Sequence, residues 1–399
     1  MIALSVSSFL AFGALLVLYG ANSTELIALL QLDYADLGLL GSMLSLGLGI
    51  GIVLAGPTVD RFPRRPLYMA SCALVAGATL SLGPETQFQG LVIRTILIGF
   101  GAGFYETVLN AATIEECGEH APKRLLLIHS GASFAAMVTP LIFEAMRANF
   151  GTPWYDTFRL AGLLHVLLIA GAFFARLPEK IELPGSRSLS EPVAQNLTQG
   201  LAQPASDPIP QRGRLALATI CVATFAYVGV ESALTIFVAD HATTDLGLSG
   251  ARAARTISAF WGGLLVGRLA VGLAPRQSGA GTIAALASVA ALLVFAFGRG
   301  LLGAPEIAMA ATGFFLGGVF PVMIGLAGMA LPGASGTAAG LAGGLGSLGG
   351  FVIPWFTGKM AGSGGLPFAL STLSAWLLLL VAAAFVSRQL LDSVRNRSA

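Results

Sequence analysis

The run RTILIGFGAGFYETVLN, from Arg94 to Asn110, is apolar and rich in glycine, yet it also contains Glu106. Hydrophobic residues with few charges are typical of a transmembrane helix, where an ionisable side chain is costly and marks a functional position by default. This run therefore predicts a membrane helix and makes Glu106 the first candidate for a functional residue.

The composition of the whole chain agrees with this interpretation. Of the 399 residues, 55% are hydrophobic and 11% are charged. Apolar runs of about 20 residues, the length that crosses a bilayer, recur along the chain. We therefore expect an all-α polytopic membrane protein. The predicted transmembrane helices, here called spans 1 to 12, cover residues 3–30, 36–58, 67–84, 89–116, 123–148, 157–177, 214–240, 253–274, 279–298, 302–330, 334–357 and 366–388.

One long polar segment divides these spans into two groups of six. It covers residues 179–213 and is rich in proline, serine and glutamine, which is typical of a flexible linker. The sequence thus predicts an N-terminal six-helix bundle over residues 1–178, a cytoplasmic linker over 179–213 and a C-terminal six-helix bundle over 214–399.

Lysine and arginine cluster in the loops that follow even-numbered spans, in the linker and in the C-terminal tail. Basic loops stay on the cytoplasmic side of a membrane, so both termini are expected in the cytoplasm. We expect a multi-pass protein of the cell membrane, in bacteria the inner membrane. The formal charge of +2 gives no indication of nucleic-acid binding.

Nothing in the sequence predicts an enzyme. The glycine-rich stretches lie inside predicted helices and do not form a nucleotide-binding loop, and no histidine or cysteine cluster has the spacing of a metal site. We expect no cofactor and no bound metal.

The two predicted bundles resemble each other in sequence. Glycine followed by a basic turn ends span 2, in GPTVDRFPRR at 56–65, and again span 8, in GRLAVGLAPR at 267–276. An internal repeat on either side of a linker is typical of an alternating-access transporter, with its binding site near the middle of the membrane.

The turn after span 2 resembles the signature loop of the major facilitator superfamily, although Pro63 replaces a glycine. The resemblance implies that Asp60 pairs with a neighbouring helix end and that the arginines complete a cytoplasmic latch; the alternative is that the arginines only set the topology. The glycines after Arg94 resemble the fourth-helix motif of the same superfamily. Arg94 needs an acid, a carbonyl group or water, and Glu25 and Glu106 are the nearest acids by topology. The matching residues of the loop are Gly56, Asp60, Arg61, Arg64 and Arg65.

Within this superfamily, the chain resembles the fucose:proton symporter group. The matching segments are ETVLN at 106–110 in span 4, YVGVE at 227–231 in span 7, FWGGLLVGR at 260–268 in span 8 and GFFLGGVFP at 313–321 in span 10. The resemblance implies twelve transmembrane helices in two pseudo-symmetric bundles and proton-coupled uptake of a sugar. In that group, acidic residues on spans 1 and 4 bind the proton and the substrate.

The resemblance transfers this role to Glu106 directly. On span 1, Asn22 fits the group's pattern, but Ser23 stands where an aspartate is expected, so Glu25 is the remaining candidate for a second proton-coupling acid. Further substrate-binding candidates are Asn110, Tyr227, Trp261 and Glu231. Glu231 has the alternatives of gating or helix pairing, and Arg268, which we place with the gating residues, is interpreted as part of a cytoplasmic network.

The chemistry of Glu106 can also be argued without the family. A low dielectric favours the neutral form of a carboxylic acid, so such a group can take up a proton on one side of the membrane and release it when water or a cation arrives. Asn110 lies one helical turn away and can hydrogen-bond a substrate hydroxyl. The alternative is a permanent ion pair with Arg94 or another helix. His129 on span 5 is either a pH-sensing group or a partner in an interhelical hydrogen bond.

The sequence therefore predicts a secondary active transporter, with proton-coupled uptake of a sugar or related polar molecule as the first hypothesis. Proton-driven efflux of drugs or amphiphiles is the alternative, and a non-transporting membrane sensor is a third. Sodium coupling stays open, because a carboxylate beside Asn110 can also coordinate sodium. A monomer embedded in the lipid bilayer is the default for this fold.

Overall fold

The computed structural model describes residues 1–59, 61–117, 121–175, 177, 211–273, 279–331 and 335–398. These residues form fourteen α-helices and no β-strand, which confirms the all-α prediction. The helices are α1 (Ile2–Ala21), α2 (Ser23–Leu30), α3 (Tyr34–Val59), α4 (Arg64–Leu80), α5 (Phe88–Cys117), α6 (Ala121–Phe150), α7 (Trp154–Phe174), α8 (Gln211–Thr244), α9 (Gly250–Gly272), α10 (Ala280–Gly298), α11 (Pro305–Gly317), α12 (Val319–Ala330), α13 (Ser335–Gly364) and α14 (Leu366–Ser398).

Ten helical segments of the described chain are long and apolar enough to cross a membrane, with α11 and α12 counted as one. Two further helices pack among them. α4 has 17 residues and contacts α5 and α7, and α9 contacts α6 and α11. With these two, the described helices are consistent with the twelve predicted spans. α8 begins at Gln211, inside the segment assigned to the linker, and residues 178–210 lie outside the described part.

Two predicted spans are interrupted. Span 1 consists of α1 and α2, which meet at Asn22, where the backbone leaves helical geometry with φ −112° and ψ 7°. The Asn22 amide donates to the carbonyl oxygen of Leu18 at 2.8 Å, a side-chain bond that competes with the helix's own hydrogen bonds. Span 10 is interrupted at Gly318, between α11 and α12. Both interruptions lie in helices that the sequence predicts as continuous.

Close packing of α5 on α3 depends on the glycines after Arg94. A Cβ atom at Gly99 would lie 2.2 Å from the carbonyl oxygen of Leu44, and one at Gly103 would lie 2.2 Å from that of Leu48. No side chain fits at such distances from backbone atoms, so only glycine allows this approach. These glycines therefore hold α5 close against α3.

The hydrophobic side chains form two large clusters. One consists of residues between Leu4 and Leu177, and the other is built mainly from residues between Ala216 and Ala384. We call the two groups of helices the first half (α1 to α7) and the second half (α8 to α14). The exact boundaries 1–178, 179–213 and 214–399 stay a prediction.

Each half has two ends, which we name by residues of the first half. The Asn22 end contains the α1–α2 junction and the start of α3, and the Arg64 end contains the end of α3 and the start of α4. At the Asn22 end the halves touch closely: a Cβ atom at Gly358 would lie 2.2 Å from the carbonyl oxygen of Tyr34, and one at Gly20 would lie 1.8 Å from that of Thr235.

The two halves separate along the pair α3 and α13 toward the Arg64 end. Contact between these helices continues as far as Gly49 and Ser347, where the distance from a Cβ atom at Gly49 to the Ser347 side chain is 3.1 Å. Closer to the Arg64 end, Gly340, Gly343 and Gly344 of α13 have no atom of another helix within 4 Å of a Cβ position. α6 and α9 stay in contact there. The interface is therefore closed at the Asn22 end and partly open at the Arg64 end.

The basic turn after α3 joins helix ends within the first half. Arg64 is buried and forms an ion pair with Glu115 near the end of α5, and Arg65 donates to the carbonyl oxygen of Ala175, after α7, at 2.8 Å. Arg61 is exposed. Gly56 has no neighbouring atom within 4 Å of a Cβ position. Asp60 lies outside the described residues, so its part in the predicted latch stays a prediction.

Candidate functional site

Glu106 lies on α5, on the helix that the Gly99 and Gly103 contacts hold against α3. Eighteen residues separate it from Phe88, the first residue of α5, which corresponds to about 27 Å along the axis. Its side chain is partly accessible, and the structure gives it no ion pair within the described residues. Glu106 is therefore a carboxyl group deep in the bundle without a fixed positive partner.

Asn110 and His129 connect Glu106 to α6. Asn110 lies one turn beyond Glu106, and its amide is next to the Glu106 carboxyl group. The distance from the Asn110 Oδ1 atom to the His129 Nε2 atom is 3.2 Å. Because Oδ1 can only accept, the Nε2–H of His129 donates in this pair, which leaves the two N–H groups of Asn110 Nδ2 available as donors beside Glu106. Of the two alternatives for His129, the structure places it in the interhelical hydrogen bond.

A second polar group lies on the facing helices of the second half. The Arg268 guanidinium contacts the Glu231 carboxylate at 3.2 Å, and the Tyr227 hydroxyl donates to the same carboxylate. Arg268 also donates to the Ser133 hydroxyl of α6 at 2.7 Å. Glu231 thus has the helix-pairing role that the sequence left as an alternative. Arg268 pairs with Glu231 and bridges the two halves through Ser133, and its predicted place in a cytoplasmic gating network stays a prediction.

The two groups meet on α6. His129 and Ser133 lie one helical turn apart, and they contact Asn110 of the first half and Arg268 of the second half, respectively. The result is a polar path across the interface between the halves, which we call the central network. Its members are Glu106, Asn110, His129, Ser133, Arg268, Glu231 and Tyr227.

A small cavity of about 50 Å³ lies beside the central network, between the halves. Glu231, Trp261 and Tyr19 contribute to its walls. The indole N–H of Trp261 is buried and has no hydrogen-bond acceptor in the part of the chain that the structure describes. An unpaired buried donor on a cavity wall is suited to bind a ligand acceptor, since leaving it unpaired costs about 1 to 3 kcal/mol.

Asn22 and Glu25 lie elsewhere, in a cluster at the Asn22 end. Arg147 of α6 donates to the Glu25 carboxylate at 3.1 Å and to the Asn22 amide oxygen at 2.8 Å, and it contacts Glu144 at 3.3 Å. Glu25 also accepts from the backbone N–H of Trp154 at 3.0 Å. The structure therefore does not bring Asn22 and Glu25 into the central network. Their predicted roles in substrate binding and proton coupling remain untested.

Arg94 pairs with neither of the acids that were considered for it. Its guanidinium donates to the Ser81 hydroxyl at 2.8 Å and to the carbonyl oxygen of Gly90 at 2.9 Å. Of the three kinds of partner that the sequence allowed, an acid, a carbonyl group or water, the structure shows a carbonyl oxygen, and a serine hydroxyl is a further acceptor.

The sequence interpretation missed two residues of these clusters. Ser133 carries the contact to Arg268, and Arg147 organises the cluster at the Asn22 end. Ser133 follows His129 by one turn in an otherwise apolar helix, which is a usable signal. Arg147 lies close to a predicted helix end, where an arginine usually extends to the membrane surface, so nothing in the sequence distinguishes it.

The family model of the Major Facilitator Superfamily matches residues 4–354. The chain belongs to the major facilitator superfamily. The members of this superfamily are membrane transporters and not enzymes, and the described helices make this chain a multi-pass membrane protein. The match includes the helices that carry the central network, and the all-α fold with two bundles is the fold of this superfamily.

Similar proteins carry different substrates. The chain is 32% identical over 152 residues to the 4-hydroxybenzoate transporter PcaK of Acinetobacter baylyi, which covers 36% of this chain and 32% of that protein. It is 25% identical over 185 residues to the high-affinity fructose transporter ght6 of Schizosaccharomyces pombe, covering 44% and 33%. The chain thus spans about a third of the length of these relatives.

A solved D-xylose-proton symporter has the same fold. Its structure matches with a TM-score of 0.76 at 16% identity, over 97% of this chain and 96% of that one. At this identity the likeness concerns the fold alone. The resemblance to the fucose:proton symporter group is not confirmed by these comparisons, whose members are aromatic acid and sugar transporters, and it stays a prediction.

Proposed function

We propose that this transporter takes up a neutral, hydroxylated small molecule, a sugar or a related polyol, together with protons. The observation that carries the proposal is the Glu106–Asn110 pair on α5, a carboxyl group with an amide partner and no ion pair within the described residues. A carboxyl group of this kind can exchange a proton and hydrogen-bond a hydroxyl in turn, because no fixed cation holds it in the charged form.

The charges around the central network support a neutral substrate. Its ionised candidates are two carboxyl groups, Glu106 and Glu231, and one guanidinium, Arg268. Arg268 is already engaged with Glu231 and Ser133, so the site offers no free positive group to an anion. Hydroxyl groups fit better, since they can donate to carboxylate oxygens and accept from the Trp261 indole N–H and the Asn110 amide.

The packing of the halves supports alternating access. With the expected orientation, the Asn22 end faces outward and the Arg64 end faces the cytoplasm. The halves touch at the Asn22 end, while α3 and α13 separate toward the Arg64 end. In this arrangement the central network is approached from the cytoplasm, and the outward-facing state requires the contacts at Gly20 and Gly358 to open.

An aromatic acid is the second candidate substrate, because the relative from Acinetobacter baylyi is a 4-hydroxybenzoate transporter. The engaged state of Arg268 argues against it. For such a substrate to bind, its carboxylate has to displace Glu231 from Arg268, or find its donors outside the central network.

A reconstituted uptake screen tests the proposal. Purified protein in liposomes is offered radiolabelled sugars, polyols and 4-hydroxybenzoate, each with an imposed proton gradient, with a sodium gradient and with neither. We expect accumulation of a sugar or polyol under the proton gradient alone. Accumulation of 4-hydroxybenzoate instead of a sugar or polyol overturns the proposed substrate class. Uptake that depends on sodium alone overturns the proposed proton coupling. Protein that exports a preloaded amphiphile against its gradient supports efflux and contradicts uptake.

A further inference from the structure

A second cavity between the halves lies at the Asn22 end. It is larger than the one beside the central network and separate from that network. Its volume is about 380 Å³, within the range of roughly 300 to 1,000 Å³ that is usual for small-molecule sites. Parts of α1, α2, α6, α8 and α9 form its walls, so both halves contribute. We call it the outer cavity.

The polar wall of the outer cavity carries an excess of negative charge. Glu25, Glu144 and Arg147 are its charged lining residues, two carboxylates against one guanidinium. Each of the three nitrogens of Arg147 already donates within the cluster, to Glu25, to Glu144 and to Asn22. An anion therefore finds no free positive group here, whereas a cation is attracted.

Two oxygen atoms of this wall have no hydrogen-bond partner among the described residues. Only one oxygen of Glu144, Oε2, accepts from Arg147; the other, Oε1, has no donor among the described residues and lies next to Gly250, where a Cβ atom would come within 2.6 Å of it. Ser23 also lines the cavity; its hydroxyl is buried behind the wall, with the residue 1% exposed, and has no hydrogen-bond partner in the described part of the chain. A buried hydroxyl without a partner costs free energy that a ligand can recover.

The rest of the wall is apolar. Pro140, Ala239, Ala253, Ala254 and Ile257 line it without a polar side chain. Small apolar residues opposite a carboxylate suit a cation with a hydrocarbon body better than a bare metal ion, which requires several oxygen ligands at short distance. No group of three or more His, Cys, Asp or Glu side chains that could hold a metal occurs among the described residues.

We propose that the outer cavity is a second binding site, specific for a small organic cation that carries an ammonium group and a hydroxyl. The ammonium lies against Glu144, the hydroxyl bonds the Ser23 hydroxyl after the serine side chain rotates about its Cα–Cβ bond toward the cavity, and the hydrocarbon part packs on the alanines of α9. Because both halves form the walls, such a ligand stabilises the arrangement that is closed at the Asn22 end. The site is independent of the proposed transport of a neutral molecule at Glu106.

Equilibrium binding of choline to purified protein in lipid nanodiscs tests this site. The comparison ligand is 3,3-dimethylbutan-1-ol, which has the same shape as choline and no charge. We expect saturable choline binding with a dissociation constant below roughly 1 mM and at least tenfold weaker binding of the neutral alcohol. Absence of saturable choline binding, or equal binding of the two ligands, overturns the proposal.

Variants locate the binding. Glu144→Gln is expected to weaken choline binding about tenfold or more, and Ser23→Ala about threefold, since the first removes the charge and the second a single hydrogen bond. Glu306→Gln is the matched control, because Glu306 pairs with Arg252 at the same end of the second half and does not line the cavity. It should bind choline as the unchanged protein does.

Glu106→Gln distinguishes the outer cavity from the central network. The proposal expects choline binding to be unchanged in this variant even when its transport is lost. Choline binding that is lost in Glu106→Gln and retained in Glu144→Gln places the ligand at the central network and refutes the outer site. Ser23→Ala should leave thermal stability unchanged, so a loss of binding there does not reflect misfolding.

Discussion

Glu106 and Glu231 are acidic residues on long apolar helices, one in each half, but their partners differ. Glu231 contacts Arg268 and accepts from Tyr227, so its charge is balanced within its own half. Glu106 has the Asn110 amide beside it and no ion pair within the described residues. Both carboxyl groups reach the same interface, and α6 connects them through His129 and Ser133.

The difference indicates a division of labour. A carboxylate that is held by arginine and tyrosine keeps its charge and fixes the geometry between helices. A carboxyl group with only a neutral amide partner can change its protonation state at low cost to its surroundings. We therefore propose that Glu106 exchanges the proton and that Glu231 positions the helices, and three predictions test this comparison.

The largest effect is expected for Glu106→Gln. Glutamine keeps the shape and the place beside Asn110 but cannot exchange a proton, so accumulation driven by a proton gradient should be abolished. Exchange of labelled for unlabelled substrate without a gradient should continue. Uptake and exchange assays in liposomes measure both.

Glu231→Gln is the matched control for this experiment. It removes the same charge from the other half, and we expect transport by this variant to slow but to keep its dependence on the proton gradient. Accumulation of substrate by Glu106→Gln would contradict the proton role of Glu106. Loss of the gradient dependence in Glu231→Gln alone would place proton exchange at Glu231.

The second effect concerns stability. Arg268→Gln leaves the Glu231 carboxylate without its counter-charge and should lower the free energy of unfolding by about 3 kcal/mol. The double variant Glu231→Gln with Arg268→Gln should recover most of this loss, because it removes both members of the pair. Unfolding in detergent measures both variants. A double variant no more stable than the single one would show that the ion pair does not hold the helices.

The smallest effect is expected for Asn110→Ala. Loss of one hydrogen bond to the substrate or to Glu106 should weaken substrate affinity about tenfold while proton movement continues. Thr107→Ala is a suitable control on the same helix, since Thr107 bonds only to the Gly103 carbonyl oxygen of its own helix. Equal substrate affinity of Asn110→Ala and the unchanged protein would show that Asn110 does not contribute to substrate binding.

Much of the fold and part of the site could be predicted from sequence. The helical period places Glu106 and Asn110 one turn apart on one face, and this local relation holds in the structure. For Arg94 the sequence allowed an acid, a carbonyl group or water and could not choose among them, because the partner depends on which helix is adjacent, here the end of α4 with Ser81. The interruption at Gly318 could not be expected either, because glycine is frequent in continuous membrane helices as well.

The sequence by itself determined that this chain is a helical membrane protein with a carboxyl group in an apolar helix, because hydropathy and helical spacing are local properties. Only the tertiary structure decided which charges are balanced. Arg268 neutralises Glu231, Arg147 joins Glu25 to Asn22, and Glu106 is left with an amide. These pairings arise between helices that are distant in sequence, and the distance between two side chains is set by helix packing and not by the order of residues.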